Sequence, residues 1–168
     1  NAYHVTAGCS NVLMVPTTLD LGWLPQVTKD LKRHEGCSLK AYWDDIGRVW
    51  TVGYGHTGPD VYRGLVISQE KADEWLREDI MEAYEDAKFL VPNWNSHNAV
   101  RKGVLVNMAF NLGRERLGKF KNTLGMIRNH DYSSAAVGML NSLWARQVKG
   151  RANELAERMR TGVIKERK

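Results

Sequence analysis

A long run of helical periodicity between Ser68 and Pro92 limits what this chain can fold into more than any other feature of its sequence. Apolar side chains recur there at steps of three and four residues, which is the pattern of an amphipathic α-helix with one buried face. Ser68 is a suitable N-cap, and Pro92 ends the pattern. The stripe consists of Ala72, Trp75, Leu76, Ile80, Ala83, Tyr84 and Ala87. We therefore predict one long helix over residues 68–90, with the rest of the chain packed around it.

The segment before this helix has a different character. Apolar residues at helical spacing from Leu24, with Gly36 as a stop signal, predict a short helix whose last turn contains Glu35. The stretches "SLKAYWDD" and "RVWTVGYGH" are rich in β-branched and aromatic side chains and flank a turn at Gly47, which predicts a small β-hairpin. We expect Glu35 at a helix terminus and the next two acids, Asp44 and Asp45, at a strand end.

Helical patterns continue after the long helix. An apolar stripe from Val100 to Leu112 predicts a helix that ends at Gly113, and shorter patterns cover residues 119–129, 133–148 and 151–160. The predicted fold is therefore α+β and mainly helical, with a small β-hairpin lobe (24–67), a long connecting helix (68–90) and a helical lobe (91–168). A cleft between two such lobes is a natural place for a ligand.

The composition fits one globular domain. A chain of 168 residues with 43% hydrophobic and 26% charged content is long enough to bury a core. Residues 1–23 are weakly apolar and contain one charge, Asp20, so we interpret them as an N-terminal arm, either flexible or related to export. The sequence contains no run of 18 apolar residues, so we predict no membrane-spanning helix. The net charge of +5 favours a polyanionic partner such as nucleic acid, acidic lipid or bacterial cell wall.

The two cysteines, Cys9 and Cys37, are too few for a disulfide framework and lack the spacing of a metal site. Cys37 lies two positions after Glu35, and two alternatives are open for it. It is either a small buried residue with a free thiol, which we favour, or the partner of Cys9 in a disulfide that ties the arm beside Glu35.

The acids at positions 35, 44 and 45 suggest a chemistry. Cleavage of a glycosidic bond needs one protonated carboxylic acid to protonate the leaving oxygen and a second, ionised group to activate water. The partial negative charge of a helix C-terminus favours the protonated form of Glu35, whereas an aspartate beside a polar turn stays ionised. In a chain with 19 acidic residues, however, any one acid is most often a surface charge. The carboxylates alone do not decide between the two interpretations.

The wider sequence pattern favours catalysis. The pattern EG…LKAYWD…G…WT.GYGHTG within residues 33–58 resembles the active-site signature of the phage lysozymes, glycoside hydrolase family 24. Three further segments resemble landmarks of that family in the correct order: "NMAFNLG", "KFKNTL", and "LWARQVKGRA" followed by "RTG". The resemblance covers the chain from Leu24 onward and implies a lysozyme-like fold. It also implies an endolysin that hydrolyses the β-1,4 bond between N-acetylmuramic acid and N-acetylglucosamine in peptidoglycan.

The resemblance further implies the catalytic roles. Glu35 would be the general acid, while an aspartate and Thr51 would position the attacking water, with inversion at the anomeric carbon. The family places its threonine six residues after its aspartate, but here Thr51 is seven residues after Asp44. Either Asp44 is catalytic with one extra residue in the turn, or Asp45 is. Because the spacing is kept up to Gly47, we favour Asp44 and place the extra residue at Arg48 or Val49.

Other site residues follow from the same resemblance. Thr57, Phe110 and Thr123 match sugar-contacting positions, and a fourth such position falls on Gly138, which has no side chain to offer. Phe110 also lies among apolar residues at helical spacing, which fits a core position equally well. The resemblance implies a structural salt bridge for His56 and an approach to Glu35 across the cleft for Arg151.

The sequence leaves one alternative of a different class. It is a module on a lysozyme fold that binds the cell wall without hydrolysis, or that binds nucleic acid through its basic residues. The two basic stretches are "DLKRHEG" and "KGRANELAERMRTGVIKERK". Acids interleave with the bases in both, however, and no helix-turn-helix pattern stands out, so we predict no nucleic-acid partner. We predict no metal, no cofactor and no stable membrane span. The expected protein is a monomer that is made in the cytoplasm of an infected host and acts on the wall in the periplasm.

Overall fold

A computed structural model describes residues 20–165 and shows a small lobe, a long helix and a helical lobe. Helix α1 (Leu24–Glu35) is followed by an antiparallel hairpin of β1 (Ser38–Asp44) and β2 (Val49–Gly53), and then by the long helix α2 (Gln69–Leu90). Within the described residues, the sheet has two strands, and Asp44 pairs with Val49 at the turn. The predicted α+β, mainly helical fold with a small hairpin lobe is confirmed.

Local signals set the bounds of these elements. Gly36 ends α1 with φ 68, and its N–H donates to the carbonyl of Lys32 at 3.2 Å. The Ser68 hydroxyl accepts the N–H of Lys71 at 3.1 Å and so caps the start of α2. The end of α1 at Gly36 is what places Glu35 at a helix terminus, as the sequence predicted.

The helical lobe contains five α-helices and one short 3-10 helix among the described residues. A short 3-10 helix (Trp94–Ser96) leads into α3 (Ala99–Gly118), which is followed by α4 (Lys121–Arg128), α5 (Tyr132–Leu140), α6 (Leu143–Val148) and α7 (Gly150–Thr161). The main core lies between α2, α3, α5 and α7 and includes Ile80, Leu105, Met139 and Leu155, all at most 1% exposed. A second, small core of Ala41, Val52 and Val61 lies under the hairpin.

One helix prediction is confirmed in part and another was wrong in detail. The chain leaves helical geometry at Gly113 (φ 79, ψ 166), where we predicted the end of the helix, but a further helical stretch that we did not predict follows directly and takes α3 as far as Gly118. The single helix predicted over residues 133–148 is two helices, α5 and α6. Ser142 separates them, since its hydroxyl accepts the N–H of Ala145 at 3.1 Å and starts a new helix.

The N-terminal predictions are only partly within the described residues. Most of the predicted arm, and Cys9 with it, lies outside them. Trp23, which we assigned to the arm, is 1% exposed and packs in the main core. Cys37 is exposed, so the buried position that we favoured for it was wrong, and its thiol has no disulfide partner within residues 20–165. No helix in that range is long and apolar enough to cross a membrane.

Candidate active site

A cleft of about 520 Å³ separates the hairpin from the helical lobe. Its size is typical of clefts that bind small ligands. It is lined by Glu35, Tyr42, Asp44, Ile46, Gly47, Thr51, Gly55, Thr57, Phe110, Asn111, Arg116, Gln147 and Val148. The fold thus brings five of the predicted site residues to one place, since Glu35, Asp44, Thr51, Thr57 and Phe110 are all among them.

Glu35 is held by contacts from both lobes. Its Oε2 accepts a hydrogen bond of 2.8 Å from Nη1 of Arg151, which stands in the first turn of α7. From the other side Gly55 approaches so closely that a Cβ at this position would lie 2.7 Å from Oε1 of Glu35. Gly55 also has φ 76, a backbone conformation that suits glycine. The Glu35 carboxylate therefore occupies a defined position, with its side chain 19% exposed to the cleft.

Asp44 ends β1 and faces the cleft, whereas Asp45 lies in the exposed turn and does not line it. The Oδ1 atom of Asp44 accepts the N–H of Ile46 at 3.0 Å, which fixes the carboxylate at the start of the turn. A Cβ at Gly47 would lie 2.9 Å from Oδ2 of Asp44, so a glycine here leaves room for this carboxylate. In the same turn, Arg48 has a left-handed backbone (φ 53) at the position where we predict the extra residue.

Thr51 lies on β2, directly across the hairpin from Tyr42. It is 3% exposed, and its hydroxyl donates to the carbonyl of Val49 at 3.2 Å. Because a hydroxyl has one proton, that bond leaves the oxygen as an acceptor toward the cleft.

Tyr42 is a cleft residue that the sequence interpretation did not single out. Burial raises the pKa of Tyr42, and the negative charges of Asp44 and then Glu35 raise it further. A neutral phenol therefore stands near both acids at the working pH. Its position two residues before Asp44 could have revealed it, since alternate residues of a strand face the same side.

His56 forms ion pairs beside the cleft. Its Nδ1 lies 2.7 Å from Oδ2 of Asp79, its Nε2 lies 3.2 Å from Oδ1 of Asp60, and its ring stacks on Trp75 at 4.2 Å. Burial lowers the pKa of His56, but the hydrogen bonds and charges of Asp79 and Asp60 outweigh burial and raise it overall. These ion pairs lie where the resemblance implies a salt bridge, and the structural role of His56 stays a prediction.

The remaining predicted residues divide between the cleft and the core. Phe110 lines the cleft and also packs against the main core, so its position fits both interpretations, and its sugar-contacting role stays a prediction. Thr123 is 6% exposed and does not line the cleft. It lies under Gly138, where a Cβ would stand 2.5 Å from the Thr123 hydroxyl oxygen. The sugar-contacting role of Thr123 stays a prediction.

Three polar cleft residues come from the helical lobe and were not predicted: Asn111, Arg116 and Gln147. Arg116 lies in the short helical stretch that follows the break at Gly113, and our sequence analysis did not predict that stretch. Within residues 20–165, no three His, Cys, Asp or Glu side chains lie close enough together to hold a metal ion.

The two-lobed α+β fold, with carboxylates from a helix end and a hairpin facing one cleft, defines a protein of the lysozyme class. The chain belongs to the phage lysozyme family, whose family model matches residues 32–161. The family predicted from the sequence is therefore confirmed.

Three relatives illustrate this membership. The chain is 35% identical to an endolysin of Acyrthosiphon pisum secondary endosymbiont phage 1, over 82% of this chain and 86% of that protein. It is 27% identical to probable T4-type lysozyme 2 of Dictyostelium discoideum, over 82% of this chain and 95% of that protein. It is 30% identical to the pre-baseplate central spike protein Gp5 of Enterobacteria phage T4, over 79% of this chain. The chain spans 27% of the spike protein's length.

Proposed function

We propose that this chain hydrolyses the β-1,4 glycosidic bond between N-acetylmuramic acid and N-acetylglucosamine in bacterial peptidoglycan, as an endolysin. The observation that carries the proposal is the convergence of Glu35, Asp44 and Thr51 on one cleft in a member of the phage lysozyme family. The names of its relatives, which include endolysins and T4-type lysozymes, support the same activity.

In the proposed mechanism the two acids have different tasks. Glu35 protonates the oxygen of the leaving sugar, and Asp44 stays ionised and takes a proton from the attacking water. Oδ1 of Asp44 already accepts the N–H of Ile46, so Oδ2 is the oxygen that we assign to the water. The Thr51 oxygen accepts a hydrogen bond from the other hydrogen of that water, because the hydroxyl's own proton is donated to the carbonyl of Val49. Water that attacks from the side opposite the leaving group gives inversion.

The first experiment tests Glu35. Glu35→Gln keeps the shape of the side chain but removes the acid, so the rate of lysis of permeabilised bacteria should fall by on the order of 10²-fold or more. The matched control is Glu85→Gln on the exposed face of α2, which should lyse at the unmodified rate. Near-normal lysis by Glu35→Gln at equal folded concentration would remove Glu35 from its assigned role.

A second experiment separates the two aspartates. Asp44→Asn should lose on the order of 10²-fold in rate, whereas Asp45→Asn changes only an exposed turn residue and should stay active. Thr51→Ala should also lose rate if its hydroxyl orients the same water. An inactive Asp45→Asn beside an active Asp44→Asn would reverse the assignment and place the extra residue before the aspartate.

We further propose that the protein acts as a monomer, is made in the cytoplasm of an infected host and reaches the wall from the periplasm. Its net charge of +5 suits an anionic wall, and we propose no nucleic-acid partner. Light scattering of the purified chain and fractionation of producing cells test these points. A stable dimer, or tight and salt-resistant binding to DNA, would contradict them.

A further inference from the structure

The position of Arg151 against Glu35 is set by a third residue. Arg151 donates one hydrogen bond to Glu35, from Nη1, and two to the side-chain oxygen of Asn107, from Nε at 3.0 Å and Nη2 at 2.8 Å. Asn107 stands on α3 and is 1% exposed. The buried amide therefore supplies two of the three hydrogen bonds that orient the guanidinium.

Donor and acceptor rules extend this chain of contacts to His34. A guanidinium only donates, so the Asn107 oxygen has to face Arg151 and its NH₂ group has to face the other way. There Nδ2 of Asn107 lies 3.3 Å from Nδ1 of His34. That ring nitrogen must accept, so it carries no proton. The proton of the neutral ring is therefore on Nε2, which lies 3.3 Å from Oε1 of Glu154, an acceptor.

The surroundings of His34 favour this neutral form. Its side chain is 6% exposed. Burial lowers the pKa of His34 from its usual 6.5, and the positive charge of Arg151 on α7 lowers it further. Glu154 on α7 opposes this lowering, and Arg33 on α1 adds to it. From α3, His34 meets the uncharged Asn107 amide.

We propose that His34 is a positioning residue for the reaction: its neutral ring fixes the orientation of the Asn107 amide, and that amide aims Arg151 at Glu35. This inference rests on the proposed function, because it describes how the acid of that reaction is held. His34 itself does not touch the substrate cleft and acts only through Asn107 and Arg151.

Protonation of His34 reverses the arrangement. An imidazolium donates from both nitrogens, so its Nδ1–H would meet the NH₂ group of Asn107. Rotation of the amide relieves that conflict but turns the NH₂ group toward Arg151, where donors again meet donors. Arg151 then loses both hydrogen bonds to Asn107, and its contact with Glu35 is no longer supported. One proton at position 34 thus disturbs the catalytic acid.

The first test uses the unmodified protein and needs no activity. Nitrogen-15 NMR of the histidine rings should show the Nε2–H tautomer for His34 near neutral pH. On acidification, the side-chain amide of Asn107 should change its shifts at the same pH as His34 titrates. The proposal is overturned if the His34 ring carries its proton on Nδ1, or if the shifts of the Asn107 amide do not change as His34 titrates.

A second variant tests the amide by the same measurement. Asn107→Asp accepts hydrogen bonds at both oxygens, so the charged carboxylate can face Arg151 and a protonated His34 together. His34 should therefore titrate at a higher pH in Asn107→Asp than in the unmodified protein. An unchanged titration would show that the two side chains are not coupled.

The third test compares two histidine variants. His34→Gln can still accept from Asn107 and donate to Glu154, but it does not titrate. The control is His97→Gln, since His97 is also buried, at 3% exposed, its pKa is also lowered by burial, and it contacts Tyr132 and Asn93. kcat and KM are measured on soluble peptidoglycan fragments over a range of pH.

In the unmodified protein and in His97→Gln, kcat should fall by on the order of tenfold as the pH drops through the His34 titration. His34→Gln should keep that activity to lower pH with little change in KM. The proposal is overturned if kcat falls at the same pH, and to the same extent, in His34→Gln and in the unmodified protein. If no variant hydrolyses the fragments at any pH, the proposed function fails, while the NMR tests still decide the hydrogen-bond arrangement.

Discussion

Glu154 offers a sharp test of how the electrostatic network between α1 and α7 stabilises the fold. Its carboxylate contacts Arg33 at 2.6 Å and Arg158 at 2.9 Å, besides the hydrogen bond from His34. Burial alone raises the pKa of Glu154, but the hydrogen bonds from Arg33 and His34 and the charges of Arg158 and Arg33 outweigh it. Together they lower the pKa from 4.5 to about 2.

The size of this stabilisation follows from the difference in the pKa of Glu154 between the unfolded and folded states. At about 1.4 kcal/mol for each pKa unit, a fall from 4.5 to about 2 corresponds to about 3 kcal/mol of stability near neutral pH. Glu154→Gln resembles the protonated acid in shape and should therefore lower the free energy of unfolding by about that amount. For a chain of this size, the melting temperature should fall by roughly 6–12 °C.

The pH dependence provides a second measurement of the same effect. Because the pKa is lower in the folded state, the stabilisation is complete above the unfolded value near 4.5 and is lost as the pH falls toward about 2. The difference between Glu154→Gln and the unmodified protein, measured by urea unfolding, should shrink to less than half at about pH 3. The matched control is Glu157→Gln, also on α7, whose side chain is 39% exposed and pairs with the exposed Arg160, so this change should hardly affect stability. Equal losses for the two variants, or a difference that does not depend on pH, would refute the reasoning.

Three other changes test the site and the backbone. Gly55→Ala should slow lysis strongly, because its Cβ would stand 2.7 Å from Oε1 of Glu35. The control is Gly64→Ala, which also has a positive φ (91) but where a Cβ meets no atom within 4 Å, so this change should lower only the stability. Equal lytic rates at equal folded fraction would exclude the clash. Lys149→Gly should raise the free energy of unfolding by about 1 kcal/mol, because φ 51 with ψ −114 suits glycine, and an unchanged unfolding curve would contradict this. Lysis should slow with added salt, because the Debye length falls from about 30 Å at 0.01 M to about 10 Å at 0.1 M. A lytic rate that does not depend on salt would show that the net positive charge of the protein does not guide binding.

The sequence predicted those parts of the fold that local signals determine. Gly36 stops α1, Ser68 caps α2 and Gly47 lies in the hairpin turn, so each of these elements was found near its observed bounds. Local signals also predicted that Glu35 and Asp44 lie at the ends of such elements, but their selection as site residues came from the resemblance to the phage lysozymes.

Features that depend on contacts distant in sequence were missed. Arg33 and Glu154 are 121 positions apart, and nothing local indicates which of the 19 acids pairs with which base. The break at Gly113 was predicted, but the helical stretch that follows it as far as Gly118 was missed, because a glycine after an apolar stripe is normally a stop signal. For Cys37, residue type suggested burial, but its position just after α1 leaves it exposed.

The proposed catalytic acid and the residues that hold it come from distant parts of the sequence, which links stability to activity. Glu35 is the last residue of α1, and Arg151 lies in the first turn of the helix that also carries Glu154 and Arg158. Arg158 forms a buried ion pair with Asp30, which lies five residues before the end of α1, so ion pairs join the two helices. Loss of one partner from a buried pair is costly, and movement of α7 would carry Arg151 away from Glu35. Variants in this ion-pair network should therefore lose lytic rate before they lose the fold, although none of the network residues lines the cleft.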